Sequence, residues 1–186
     1  SVLERFVADL SSKHGKHAAF RFQSAGRIQI PFRFKTTLRN AVAQLARNSL
    51  AHGIETPAER RAAGKPEQGS VLFAARRRDG HLEFLYRDDG RGFDYRKMVE
   101  RAKDLARLEP ELIDGLIDRE QNRWRNEALD ALVFHPGFTT AFEVTEDSGR
   151  GMGLSAVKDQ VTALGGTITV RQKPGQFCEF HIVLPV

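Results

Sequence analysis

The sequence predicts an α+β fold, a mixed and largely antiparallel sheet with helices on one face. Two observations predict it. Strands with period-two patterning come as a hairpin pair in mid-chain and as a second pair at the end, interleaved with helical segments instead of alternating singly with them. The length, 186 residues with 40% hydrophobic and 28% charged side chains, suits one domain with a real core and leaves no room for a second sizeable one.

The elements follow in order. Leu3, Phe6, Val7 and Leu10 recur at helical spacing, and this helix ends between Ser12 and Gly15. His17 to Ser24 reads as a strand, followed by a turn at Gly26 and an extended stretch from Ile28 to Phe32. The strongest helix is Thr36 to Ala51, where Leu38, Ala41, Val42, Leu45, Ala46 and Ser49 form an inward stripe and Gly53 ends it. Glu55 to Gly69, rich in Pro, Gly and charge, reads as a loop. Ser70 to Arg77 and His81 to Asp88 form a hairpin about Arg78-Asp79-Gly80, with Leu82, Phe84 and Tyr86 alternating with Glu83, Leu85 and Arg87. Tyr95 to Leu108 and Pro110 to Leu132 are predicted helical, and Phe134 to Gly151 irregular. A helix from about Met152 to Leu164 precedes two closing strands, Thr167 to Gln172 and Phe177 to Leu184.

Several classes are excluded. No run approaches the roughly 18 apolar residues of a membrane-spanning helix, and SVLERFVADL lacks the apolar stretch of a signal peptide. A lone Cys178 excludes a disulfide framework and a cysteine-based zinc site. The formal net charge of +5 is ambiguous between a solvated surface, nucleic acid, an acidic membrane and a nucleotide. A helical pattern already running at Ser1 suggests that residues 1–186 are a single domain of a larger multidomain protein.

Three stretches could carry chemistry. Asp88-Asp89-Gly90-Arg91-Gly92 ends a strand with carboxylates that can accept from an exocyclic amine such as adenine N6, or is an ordinary Asp-Gly turn. Ser148-Gly149-Arg150-Gly151-Met152-Gly153-Leu154 runs three alternate glycines into a helix start, where backbone N–H groups bind phosphate; the alternative is a linker and cap. Gln44, Asn48 and His52 lie four apart on one helical strip. There an Asn oxygen suits Mg²⁺, and the alternative is a polar solvent face.

In this order the three stretches resemble the GHKL family of ATP-binding domains, and within it the catalytic domain of CheA-type chemotaxis kinases. The match extends over Leu45-Ala46-Arg47-Asn48-Ser49-Leu50-Ala51-His52-Gly53-Ile54-Glu55, the linker Arg61-Ala62-Ala63-Gly64-Lys65-Pro66, the first glycine box at Asp88 to Gly92, Pro136-Gly137-Phe138-Thr139-Thr140, and the second glycine box at Ser148 to Gly153. The resemblance implies a two-layer α/β sandwich of the Bergerat type with a flexible ATP lid, and ATP with Mg²⁺ as ligands. It implies that Asn48 ligates Mg²⁺, that Asp89 reads adenine N6, and that Gly90 and Gly92 allow that approach. Gly149, Gly151 and Gly153, with Ser148, Arg150 and Met152, shape the lid over the triphosphate. His52 lies near the phosphates, and Phe134 to Thr140 form the lid hinge.

The implied activity is transfer of the γ-phosphoryl to a histidine on a separate phosphoacceptor domain, and thence to a response regulator. A CheW-like regulatory partner and a dimeric parent follow through domains the chain lacks. The domain is expected to be cytoplasmic, without nucleic-acid or direct membrane contact, and slow to turn over alone. Gln44 stands where CheA-type kinases have histidine, and Ala51 where they have an acidic residue. The usual Gly-x-Gly-Thr is replaced by Gly175-Gln176-Phe177-Cys178. These departures leave a second reading, a degenerate nucleotide-binding module that regulates or scaffolds.

Overall fold

The computed structural model describes residues 2–136, 138 and 153–186. Strands β1 (Ala18–Ser24), β2 (Gly69–Arg78), β3 (His81–Asp88), β6 (Thr167–Lys173) and β7 (Phe177–Pro185) form one sheet in the order β1-β2-β3-β7-β6. Only β1 runs parallel to its neighbour; β2–β3, β3–β7 and β6–β7 pair antiparallel, as expected of a mixed sheet. The β2–β3 hairpin closes through two residues, Asp79 and Gly80, both with positive φ (48° and 73°). Arg78 pairs with His81 across it. A two-residue turn of that conformation matches the twist of its strands.

The helical layer is built on α2 (Phe32–Asn48), with α1 (Val2–Lys13) beside it and α7 (Leu154–Ala163) packed against it. Phe34, Leu38, Ala41, Val42, Leu45 and Ala46 of α2 are buried at three- and four-residue steps. They share one core with Val71 and Phe73 of β2, Leu82, Phe84 and Tyr86 of β3, and Phe180, Ile182 and Leu184 of β7. Phe73 and Phe84 stack at 5.9 Å, and Phe134 meets Phe180 edge-on at 6.1 Å. Along β3 burial alternates: Leu82, Phe84, Tyr86 and Asp88 are buried, while Glu83, Leu85 and Arg87 are half-exposed on the other face. That parity governs the site described below.

Three local expectations are corrected. The central helix begins at Phe32 instead of Thr36, because Pro31 stands at its N-cap, where a missing N–H costs nothing, and Phe34 already faces the core. Glu55 to Gly69 contains a helix, α3 (Pro57–Ala62), started by a capping box in which Thr56 and Glu59 exchange side-chain and backbone bonds. It closes in a Schellman motif: Gly64 takes φ +70°, Gly64 N–H donates to Arg61 O at 3.0 Å and Lys65 N–H to Arg60 O at 2.9 Å. Pro110 to Leu132 is a broken segment, α5 (Leu112–Leu116), the small ladder β4 (Ile117–Asp118) and β5 (Arg123–Trp124), then α6 (Asn126–Ala131). The break forms because Asp118 Oδ1 accepts from Glu120 N and Gln121 N, each at 3.1 Å, and Asn122 adopts φ +48°. Tyr95 to Leu108 is helical as α4 (Tyr95–Ala106).

Candidate nucleotide-binding site

The site forms where the end of α2 meets the end of β3. Ser49, the last member of the inward stripe, opens a π-helical turn (Ser49–Gly53), with Ile54 N–H donating to Ser49 O at 2.6 Å. The Lys16 ammonium supports this turn by donating to Leu50 O (2.6 Å) and Ala51 O (3.0 Å), carbonyls left unpaired where the helix ends. From the sheet, parity sends Asp88 to the same side. Ser49 Oγ donates to Asp88 Oδ2 at 2.5 Å and accepts from Tyr86 OH at 3.1 Å. Gly90 N–H donates to Asp88 Oδ1 at 3.0 Å. Burial pushes the Asp88 carboxyl up to about 6, against the lowering bonds from Ser49 and Gly90 and with added repulsion from Asp89 and Glu55. The Tyr86 phenol is pushed well above its ordinary value, by burial first and by the Asp88 charge second.

Gly90 lies so close to the π turn that a Cβ there would come within 2.4 Å of Gly53 C and O. Only glycine allows Arg91 N–H to reach Gly53 O at 2.9 Å. The glycine box therefore locks the strand end onto the helix end around a buried carboxylate.

Asp89, the residue expected to read adenine N6, points the other way. The Arg60 guanidinium grips its carboxylate in parallel, Nη1 to Oδ1 at 3.2 Å and Nη2 to Oδ2 at 2.9 Å, and Ser70 N–H donates to Oδ1 at 2.8 Å. Arg60 itself has no exposed side-chain surface. An open cleft of about 500 Å³ lies on this side, bounded by Lys65, Pro66, Asp89, Pro174 and Gly175 among others.

Gln44 and Asn48 share a helical face, with Gln44 Nε2 donating to Asn48 Oδ1 at 3.4 Å. Arg47 Nη1 donates to Gln44 Oε1 at 3.4 Å. His52 falls inside the π turn, so it does not continue that strip at α-helical spacing. It is exposed, and loss of solvation, then the charges of Lys16 and His14, hold its imidazole below the ordinary value. Gly92 has φ +69° and lies against Gln172, whose Oε1 accepts from Phe93 N–H at 2.5 Å and whose Nε2 donates to Asp130 Oδ1 at 2.9 Å. Gly153 is the N-cap of α7. Ser148, Gly149, Arg150, Gly151 and Met152 lie outside the described residues, as do Gly137, Thr139 and Thr140 of the expected hinge.

Among the described residues no group of three or more His, Cys, Asp or Glu could hold a metal ion. Asn48 remains as a single, half-exposed carboxamide oxygen. Such a donor fits Mg²⁺, a cation that keeps several waters and takes one or two protein oxygens beside substrate phosphates. Sequence reasoning overlooked Ser49, Tyr86, Asp88, Arg60 and Lys65 as site residues. The signal for Asp88 was present: extending the Leu82, Phe84, Tyr86 alternation by two positions puts Asp88 inward and Asp89 outward.

A helix-and-turn end joined through a buried carboxylate to a glycine box, on a mixed sheet with helices on one face, defines an ATPase fold of the GHKL type. The chain belongs to the histidine kinase-, DNA gyrase B- and HSP90-like ATPase family, whose sequence profile matches residues 35–186. Among curated relatives it is 35% identical to the chemotaxis protein CheA of Halobacterium salinarum over 182 residues, covering 98% of this chain and 26% of the relative. It is 37% identical to CheA of Bacillus subtilis over 142 residues, covering 76% of this chain and 20% of that protein. The gliding motility regulatory protein of Myxococcus xanthus is 32% identical over 181 residues, with 97% and 22% covered. The chain thus spans about a quarter or less of the length of these relatives. Among solved structures, full-length ShkA in complex with AMPPNP superposes with a TM-score of 0.56 at 23% identity, covering 99% of this chain and 29% of that one. The mycobacterial sensor histidine kinase MprB gives 0.53 at 19% identity, with 99% and 91% covered. Both share the fold.

Proposed function

We propose that this chain is the ATP-binding catalytic domain of a CheA-like histidine kinase, which binds Mg-ATP and donates its γ-phosphoryl to a histidine on a separate phosphoacceptor domain. The observation that carries the reading is the Asp88 carboxylate, buried between Ser49 and Gly90 at the end of β3. In this reading Asp88, and not Asp89, accepts from the adenine 6-amino group. Ser49 occupies one oxygen and Gly90 N–H the other, each through one lone pair, and leaves acceptor capacity on both. Family membership and the CheA relatives support the same reading.

Asn48 would hold Mg²⁺, which neutralises phosphate charge when bound. Gln44 bonds the Asn48 amide and fixes its orientation, a role that needs no proton exchange. The N–H groups that open α7 after Gly153, together with the second glycine box from Ser148 to Met152, would receive the phosphates. His52, exposed at the rim of the π turn, would approach the phosphates from the outside. The incoming imidazole nitrogen forms a bond to the γ-phosphorus as the bond to the bridging oxygen breaks and ADP leaves. This domain therefore contributes positioning and charge neutralisation instead of a nucleophile. A response regulator would take the phosphoryl from that histidine, and a CheW-like partner and a dimeric parent would act through regions outside this chain. The domain would work in the cytoplasm; no helix among the described residues is long and apolar enough to cross a membrane.

Incubation with a CheA-type phosphoacceptor domain and γ-labelled Mg-ATP tests the proposal. An acid-labile, base-stable label on the acceptor histidine is expected. Tight ATP binding with no transfer would replace the kinase reading with a nucleotide-sensing module, the alternative that Gln44 and Ala51 favour.

A further inference from the structure

The most heavily bonded ionic group among the described residues is not used by the mechanism above. Arg60 and Lys65, from α3 and the motif that closes it, converge on Glu55 and on the turn that follows Asp88. Arg60 Nη1 reaches Glu55 Oε2 at 3.1 Å, and Arg60 Nε reaches Pro66 O at 2.6 Å. Lys65 Nζ donates to Glu55 Oε1 at 2.7 Å, to Asp89 O at 2.9 Å and to Gly90 O at 3.1 Å. Arg60 Nη1 adds a longer bond to Asp89 O at 3.4 Å beside its grip on the Asp89 carboxylate. Two cations and two carboxylates make the group neutral, which allows Arg60 and Glu55 to be buried within it.

One peptide links this group to Asp88. The carbonyl of Asp89 and the N–H of Gly90 belong to the same planar trans unit and point in opposite directions. Lys65 and Arg60 hold its oxygen, and its N–H donates to Asp88 Oδ1. Rotation of this peptide would break both bonds together. The α3 side of the molecule thereby sets the direction of the donor on which the Asp88 carboxylate rests.

We propose that Arg60 and Lys65 are positioning residues for purine selection, holding the Asp89–Gly90 peptide so that Asp88 presents its carboxylate to a 6-amino purine. The proposal rests on the assignment of Asp88 to the adenine amino group. The bonds of both cations go to Glu55, Pro66 and the Asp89–Gly90 turn, one residue removed from Asp88. Lys65 acts through the main chain of Asp89 and Gly90, and Arg60 through the Asp89 carboxylate and carbonyl, so their loss relaxes base selection and leaves phosphate binding in place. The sequence alone disguises this role, because Glu55 to Gly69 reads there as a loop rich in Pro, Gly and charge.

The test compares ADP with inosine diphosphate, which carries a carbonyl in place of the 6-amino group, by calorimetry in the presence of Mg²⁺. The parent protein is expected to prefer ADP by at least tenfold. Lys65→Gln should weaken ADP about tenfold and change inosine diphosphate binding less than threefold, so that the preference collapses. Lys65→Arg, which keeps a donor to the same carbonyls, should restore most of it. Arg60→Lys, which keeps the charge but loses the paired grip on Asp89, should reduce the preference in the same direction. General destabilisation lowers both affinities by one factor and leaves their ratio intact, so a retained ratio in Lys65→Gln and Arg60→Lys overturns the proposal. Asp88→Asn separates the two levels. If it keeps the preference for ADP, the adenine assignment itself fails; if it abolishes the preference while Lys65→Gln does not, only the positioning role fails.

Discussion

In the proposed reading, Asp88 sits at a position where stability and recognition conflict. Its carboxyl titrates near 6 in the folded protein against 3.8 for an ordinary aspartate. Between about pH 4 and pH 6 the native state therefore holds a proton that the unfolded chain has released. Stability from this group is greatest below that window and is lost as pH rises through it. At neutral pH the buried charge costs about 3 kcal/mol. Asp88→Asn should remove this slope. In urea titrations at pH 4.5 and pH 7.5, the variant is expected to gain on the parent at the higher pH by on the order of 1–3 kcal/mol, while losing its preference for adenine nucleotides. Equal differences at the two pH values would show that the carboxylate is not strained by burial. A buried carboxylate kept at such cost, with acceptor capacity left beyond its bonds from Ser49 and Gly90, in a residue that a neutral side chain of the same shape could replace, is what a binding site requires.

At the scale of the element, α3 is the piece whose contribution exceeds its size. Six residues are too few to be stable as an isolated helix, so its ends carry it. The capping box at Thr56 and Glu59 starts it, and the Schellman turn at Gly64 brings Lys65 back over Arg60. Thr56→Ala should cost about 1 kcal/mol. The loss should be concentrated in α3: amide hydrogen exchange is expected to quicken across residues 57–65 and much less in β2, β3 and α2. Uniform acceleration over the whole sheet would mean that α3 is integral to the global core instead of a locally capped support. The π turn makes a similar case. It ends α2 against β3, Lys16 caps its carbonyls, and the added residue of the wide turn puts Ser49 toward Asp88 and His52 at the rim.

At the scale of the whole molecule, the proposed ATP site would join the helical layer to the sheet. Asn48 is supplied by the helices and Asp88 by the sheet, so a ligand that engages both stabilises the pair as a unit. A ligand at a hundred times its dissociation constant adds about 2.7 kcal/mol to unfolding. For a chain of this size that corresponds to a rise in melting temperature of roughly 5–10 °C. Mg-ATP should raise the melting temperature of the parent more than ATP in EDTA does. In Asn48→Ala the two shifts should coincide, and a persisting magnesium effect would place the metal elsewhere.

Much of this protein was legible in the amino-acid order. The α2 stripe, the β2–β3 hairpin at Asp79-Gly80 and the closing strand pair depend on local periodicity and turn chemistry, which neighbouring residues express without help. The glycine box and the helix carrying Asn48 were legible for the same reason, as was the α+β class. What the sequence by itself determined was the main strands and helices, without α3 or the break in residues 110–132, and two stretches that meet at the site, the end of α2 and the first glycine box. Tertiary structure decided which side chain in each stretch faces inward. Asp88 and Asp89 are chemically identical, and their roles diverge because β3 pairs between β2 and β7 with one parity, turning one carboxylate to Ser49 and the other to Arg60. Arg60 and Lys65 gain their partners only when α3 folds back on the end of β3, across 29 and 24 positions of chain. Such contacts have no local period to read, because they are fixed by how the layers pack and not by the residues beside them.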